Sequence, residues 1–161
     1  MAHRVINFYA GPAALPLPAL ERAQNELLDF MGTGMSVMEI SHRSKEYDAV
    51  HEEAIALTKE LLSIPANYKV LFLQGGANLQ FTMVPMNFLG AGRTADYIVT
   101  GSWGKKAFKE AKIVAGDTVK TAGSTEAEKF TRLTTQVELK LDPKAAYVHV
   151  TSNETIHGGQ F

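Results

Sequence analysis

Two rhythms of hydrophobic positions run along this chain, one of helical period and one of short unbroken apolar runs. Leu20, Ala23, Leu27 and Phe30 recur at helical spacing between Pro16-Leu17-Pro18 and Gly32, which predicts a helix over 19–30. Ser44 stands where an N-cap belongs, and Tyr47, Val50, Ala54, Leu57 and Leu61 form the apolar stripe of a second helix reaching about residue 63. The run 69–73 has the length and composition of a strand, and Gly75-Gly76 ends it before a helical stretch over 77–89 that Pro85 should kink or bound. A strand over 96–100, a helix over 102–114, a strand over 118–121 and a strand over 146–151 follow. Between the last two, residues 122–143 are less regular, with a helix expected over 131–139. Residues 1–15 lack helical periodicity and read as an extended arm. Strands alternating with helices predict an α/β fold, a mainly parallel sheet flanked by helices, in which ligands bind at the carboxyl ends of the strands.

Composition narrows the chemistry more than the fold. The 161 residues, 45% hydrophobic and 20% charged, suit one globular domain or part of a larger one. There is no cysteine, which excludes a disulfide framework and any thiolate metal site. A formal charge of −1 offers no strong overall attraction for nucleic acid or an anionic membrane. The first residues carry no apolar stretch long enough for a signal peptide, no run approaches the length of a membrane helix, and a cytoplasmic location is the default.

Four places hold candidate chemistry. Gln74-Gly75-Gly76-Ala77-Asn78 joins a strand to a helix start, where a tight glycine turn, free N–H groups and the helix dipole suit a phosphate. It matches neither a Walker A loop nor G-x-G-x-x-G, and an ordinary strand-to-helix turn would look the same. His42-Arg43 lies between two helices, where a guanidinium can hold a carboxylate through paired hydrogen bonds or simply be a surface arginine beside a cap. Trp103, the single tryptophan, follows a strand and offers a flat face to a planar ring, with core packing the equal alternative. The segment 151–159 is crowded with hydrogen-bonding side chains that are also turn formers. No metal set stands out, and the S-x-x-K match at Ser102-Trp103-Gly104-Lys105 carries little weight.

Taken together and in this order, these segments resemble the phosphoserine aminotransferase family, within the class V, fold type I pyridoxal-phosphate enzymes. The resemblance rests on Asn7-Phe8 with Gly11-Pro12-Ala13, on 36–44, on 75–81, on Ala95-Asp96-Tyr97 with Trp103, and on 152–158. It implies that Gly76, Ala77 and Asn78 meet the phosphate of pyridoxal 5'-phosphate, Ala77 and Asn78 through their main chain. It further implies that Trp103 stacks on the pyridine ring, that Thr155 hydrogen-bonds the cofactor, and that Arg43 binds the substrate carboxylate with His42 a weaker candidate for the substrate phosphate. The implied reaction moves an amino group from glutamate to 3-phosphohydroxypyruvate in serine biosynthesis, in a cytoplasmic homodimer with neither a membrane nor a nucleic-acid partner. Members of the family extend well past the position of Phe161, and that further part holds the Schiff-base lysine, the aspartate facing the pyridine nitrogen and the carboxyl-terminal domain. The expectation is an amino-terminal segment, with 1–15 the arm and 16–161 an incomplete cofactor-binding large domain, without catalytic residues of its own and inactive alone. Another class V enzyme, such as a serine–glyoxylate aminotransferase or a cysteine desulfurase, and a noncatalytic phosphate-ligand module remain the alternatives.

Overall fold

A computed structural model describes residues 4–9 and 11–161, divided into two compact units, 4–72 and 73–161. The arm expected over 1–15 falls partly on residues 1–3 and 10, which lie outside the described residues; the remainder forms neither helix nor strand.

The first unit holds α1 (Leu17–Asn25) and α2 (Lys45–Leu61). Pro18 sits in the first turn of α1, where its missing N–H costs nothing. This helix stops short of the expected residue 30, because the chain enters a tight loop in which the Phe30 N–H donates to the Met35 carbonyl at 2.8 Å and Met31 and Gly32 both have positive φ. Ser44 caps α2 as expected, its hydroxyl accepting from the Tyr47 N–H at 3.2 Å.

The second unit carries α3 (Gly76–Phe88), β1 (Ala95–Val99), α4 (Ser102–Ala115), β2 (Val119–Ser124), β3 (Val148–Val150), and a short antiparallel pair, β4 (Asn153–Glu154) with β5 (Gly159–Gln160). The sheet order is β2-β1-β3 and both ladders are parallel, as the alternation of elements predicts. β1 is central and buried along its whole length, the pattern of a parallel strand covered on both faces. Ala107 and Ala111, one helical turn apart on α4, join Ala95, Tyr97, Val99 and Val119 in the core. The Pro85 ring is accommodated inside α3, which continues to Phe88.

Two expected elements are absent. Residues 69–73 form no strand, since a strand exists only against another's backbone; Leu71, Phe72 and Leu73 stay 70%, 57% and 51% exposed. The helix expected over 131–139 is a single 3₁₀ turn, Gln136–Glu138. There Glu138 takes the N–H and hydroxyl of Thr135 at 2.7 and 2.9 Å, Arg132 forks onto Glu128 and Glu138, and the Lys140 N–H is drawn to the Ala122 carbonyl at 2.8 Å. The Arg132 guanidinium first, and then the Thr135 N–H and hydroxyl, hold the Glu138 carboxyl down at about 2. Local side-chain bonds and an edge interaction with β2 have displaced the helix.

Candidate coenzyme site

Parallel strands put the segments after β1 and β3 at one end of the sheet, and those segments meet there. The loop after β1 leads through Gly101 into α4; the loop after β3 leads into the β4–β5 hairpin, whose turn is 155–158. Trp103 Nε1 donates to Thr155 Oγ1 at 2.9 Å, so two residues singled out separately in the sequence form one hydrogen-bonded pair. Trp103 is half-buried and Thr155 exposed, with the Lys106 ammonium 6.0 Å from the indole centroid.

α3 and α4 run side by side in the same direction. Thr82 donates to Glu110 at 3.2 Å, and Pro85, Met86 and Leu89 from the end of α3 line one cleft with Val114 and Ala115 from the end of α4. Their amino termini therefore lie at the same end of the sheet as the Trp103–Thr155 pair.

These two helix starts are treated in opposite ways. At α4 the Ser102 N–H donates to His157 Nδ1 at 3.4 Å, the Trp103 N–H to Glu154 Oε2 at 2.9 Å and the Gly104 N–H to Glu154 Oε1 at 2.6 Å. The protein's own buried carboxylate thus occupies the position that an anion would take. At α3 the N-cap is Gly75, in the left-handed region at φ 88, with no side chain to cap the helix. The N–H groups of Gly76, Ala77 and Asn78 find no acceptor among the described residues, and all three residues are exposed. A neutral, glycine-opened helix start with several N–H groups pointing outward has the donor chemistry of a phosphate site.

Of the residues singled out in the sequence, Gly76, Ala77 and Asn78 share the start of α3, and Trp103 and Thr155 are bonded to each other. His42 and Arg43 belong to the first unit, where both are exposed; the Arg43 N–H donates to Ser41 Oγ at 3.2 Å, and its guanidinium makes no hydrogen bond among the described residues. Lys105 is ion-paired with Glu126. Among the described residues no group of acidic and histidine side chains is arranged to hold a metal. Glu154 and His157 were hidden inside a stretch that reads as turn formers. Their sequence signal was indirect: α4 opens on Gly101 with no Ser, Thr, Asp or Asn side chain to cap it, which leaves its first N–H groups open to a partner from another loop.

Deeper in the sheet, His149 on β3 stacks on Tyr97 of β1 at 4.7 Å between ring centroids, with Phe81 of α3 edge-on at 6.2 Å. Its Nδ1 is buried without a partner, and burial pushes the imidazole pKa down from its ordinary value. Burial likewise raises the Tyr97 phenol, whose hydroxyl lies 2.8 Å from that of Tyr147.

The family described as "Aminotransferase class-V" matches residues 5–161. A curated "Phosphoserine aminotransferase" of Niallia circulans is 57% identical over 161 residues, covering 100% of this chain and 44% of that protein. Another of the same name, from Aromatoleum aromaticum, is 58% identical over 158 residues, covering 96% and 43%. Among solved structures, a phosphoserine aminotransferase studied for radiation damage of its Schiff base superposes with a TM-score of 0.90 at 54% identity, over 99% of this chain and 44% of that one. A PLP-bound phosphoserine aminotransferase from Trichomonas vaginalis gives a TM-score of 0.89 at 43% identity, over 98% and 47%. The chain thus spans 44% of the length of the Niallia circulans relative.

Proposed function

We propose that this chain, which belongs to the aminotransferase class-V family, supplies the coenzyme-phosphate and ring-stacking elements of a phosphoserine aminotransferase. The complete enzyme would transfer the amino group of glutamate to 3-phosphohydroxypyruvate, giving 2-oxoglutarate and O-phospho-L-serine. The observation that supports this reading most is the contrast between the two helix starts, one filled by Glu154 and one left open at the same end of the sheet as the Trp103–Thr155 pair.

Pyridoxal 5'-phosphate would supply the electron sink that makes the substrate Cα–H acidic. The N–H groups of Gly76, Ala77 and Asn78 hold its phosphate, with the helix dipole behind them. Because these are main-chain donors, the asparagine side chain is not needed. The Trp103 indole covers one face of the ring. Thr155 Oγ1 accepts from that indole, which leaves its own proton free for donation to the coenzyme. Arg43 would present the two parallel N–H groups that the substrate carboxylate matches, with His42 the weaker candidate for the phosphate of the substrate. In this reading 1–15 is an arm, 16–161 is an incomplete large domain, the complete protein is a cytoplasmic homodimer, and its further part holds the Schiff-base lysine.

Ala77→Asp in the complete enzyme tests the phosphate site, because the two consequences of that change have opposite signs. An acidic residue in the first turn helps a helix by roughly 0.3–1 kcal/mol, yet it places a negative charge against the bound anion. Equilibrium unfolding of the coenzyme-free protein should show unchanged or slightly raised stability. Titration with pyridoxal 5'-phosphate should show affinity weakened about tenfold or more, and turnover of glutamate with 3-phosphohydroxypyruvate should fall with it. Undiminished affinity would place the phosphate elsewhere and defeat the assignment, and robust turnover of glyoxylate in place of the phosphorylated acceptor would move the chain to another branch of class V.

A further inference from the structure

Glu154 has 0% of its surface exposed and meets Trp103 through that residue's main-chain N–H. Both of its carboxylate oxygens are committed to α4, at the N–H groups of Trp103 and Gly104. Its own carbonyl accepts from the His157 and Gly158 N–H groups at 3.1 and 2.8 Å, which closes the turn that carries Thr155. One residue therefore grips the backbone of Trp103 with its side chain and the turn of Thr155 with its main chain, and the indole–hydroxyl bond closes the ring of contacts.

The surrounding sequence is shaped for this carboxylate. A Cβ on Gly101 would stand 2.3 Å from Glu154 Cδ, and one on Gly104 would stand 2.9 Å from Oε1. Gly101 has φ −179, an extended backbone that any residue adopts, so its missing side chain serves the space and not a turn. An ordinary serine cap would satisfy one N–H of α4 just as well. A buried glutamate reaching in from the far loop does more, since it ties the end of β3 to the start of α4.

We infer that Glu154 is a positioning residue, which locks the plane of the Trp103 indole and the direction of the Thr155 hydroxyl into one rigid platform for the coenzyme ring. The inference rests on the coenzyme reading above. Holding a binding group in place through buried, fully satisfied hydrogen bonds is what converts a side chain that is merely present into one that binds.

The test uses the complete enzyme with Glu154→Gln, Trp103→Phe and the double variant. Glutamine keeps the shape but turns an amide NH₂ toward one of two N–H donors, so one contact is lost and the charge is gone. Glu154→Gln should weaken pyridoxal 5'-phosphate binding about tenfold and reduce the visible circular dichroism of the bound coenzyme at saturation, a signal set by how the ring is held. In the Trp103→Phe background the same change should cost less than about threefold, because its route through the indole is already cut. Glu154→Gln that lowers the melting temperature while leaving affinity and dichroism intact, or that adds its full effect to Trp103→Phe, overturns the inference. If Glu154→Gln does not fold, Gly104→Ala pushes the carboxylate by a few tenths of an ångström and should weaken binding about threefold; unchanged binding overturns the inference equally. A complete enzyme that binds no coenzyme, or whose affinity ignores Trp103→Phe, sinks the functional reading and this inference together. Sensitivity to Trp103→Phe with indifference to Glu154→Gln sinks this inference alone.

Discussion

A methyl group added at Gly101 would land on the Glu154 side chain, within 2.3–2.6 Å of its Cδ, Oε2 and Cγ. Backbone strain has no part in this, so Gly101→Ala isolates the cost of displacing a buried, doubly bonded carboxylate. We expect about 2–4 kcal/mol of lost stability in urea unfolding of the complete enzyme, from overpacking and the loss of the Trp103 and Gly104 bonds. Gly75 fails differently: φ 88 is costly for any side chain, and its Cβ would press on Leu79 at 2.5 Å. Asn78→Ala, by contrast, should leave coenzyme affinity within about twofold, since a main-chain N–H survives every substitution but proline. A larger loss would mean that the amide side chain itself reaches the ligand. These residues differ in how far the sequence reveals them. Gly75-Gly76 advertises its turn because glycine is what a left-handed N-cap requires. Glu154 does not, because its role depends on two glycines about fifty positions away and on which loops a parallel sheet brings together.

Elements whose cause is local were legible, and elements whose cause is a neighbour were not. α2 has its cap, stripe and length within one stretch of sequence, and its expected limits nearly coincide with Lys45–Leu61. The apolar run 69–73 has every strand feature except a partner, and 131–139 lost its helix to the Thr135–Glu138 and Lys140–Ala122 bonds that no periodicity encodes. β3 shows how much the neighbour matters energetically. His149 lies between the Tyr97 ring of β1 and Phe81 of α3, with Nδ1 unpartnered. Burial depresses its pKa in the fold, so the folded state takes up fewer protons than the unfolded chain at the same pH. The stability linked to the neutral ring is complete above the unfolded value of about 6.5 and is lost as pH falls through the lower folded value. His149→Phe keeps a ring for Tyr97 to stack on and removes the titration. Stability should change by less than about 1.5 kcal/mol at pH 8, while the decline as pH falls below about 6.5 becomes shallower. An unchanged slope in urea titrations across that range would show that other groups carry the acid sensitivity.

Stability is distributed unevenly between the two units, and that distribution predicts how the chain behaves by itself. In the second unit α4, β1 and β2 share a core of six buried residues, and β1 has a strand on each side. In the first, α1 and α2 contain no buried residue at all, although their apolar stripes are intact. A 17-residue helix whose stripe is at most half-buried is marginal in water, because tertiary packing supplies most of the stability of such a helix. Leu57 and Leu61 at the end of the α2 stripe and Leu71, Phe72 and Leu73 leave apolar surface exposed, and relatives more than twice as long have further chain that could cover it. Hydrogen exchange on the 161-residue polypeptide should therefore find amides of β1 and α4 protected by orders of magnitude and those of α2 exchanging near the rate of an unstructured peptide. In the complete enzyme the amides of α2 and 69–73 should join the protected set. Protection of α2 in the short polypeptide equal to that of α4 would show that the first unit is stable without any such cover, and the surfaces would then need a different explanation.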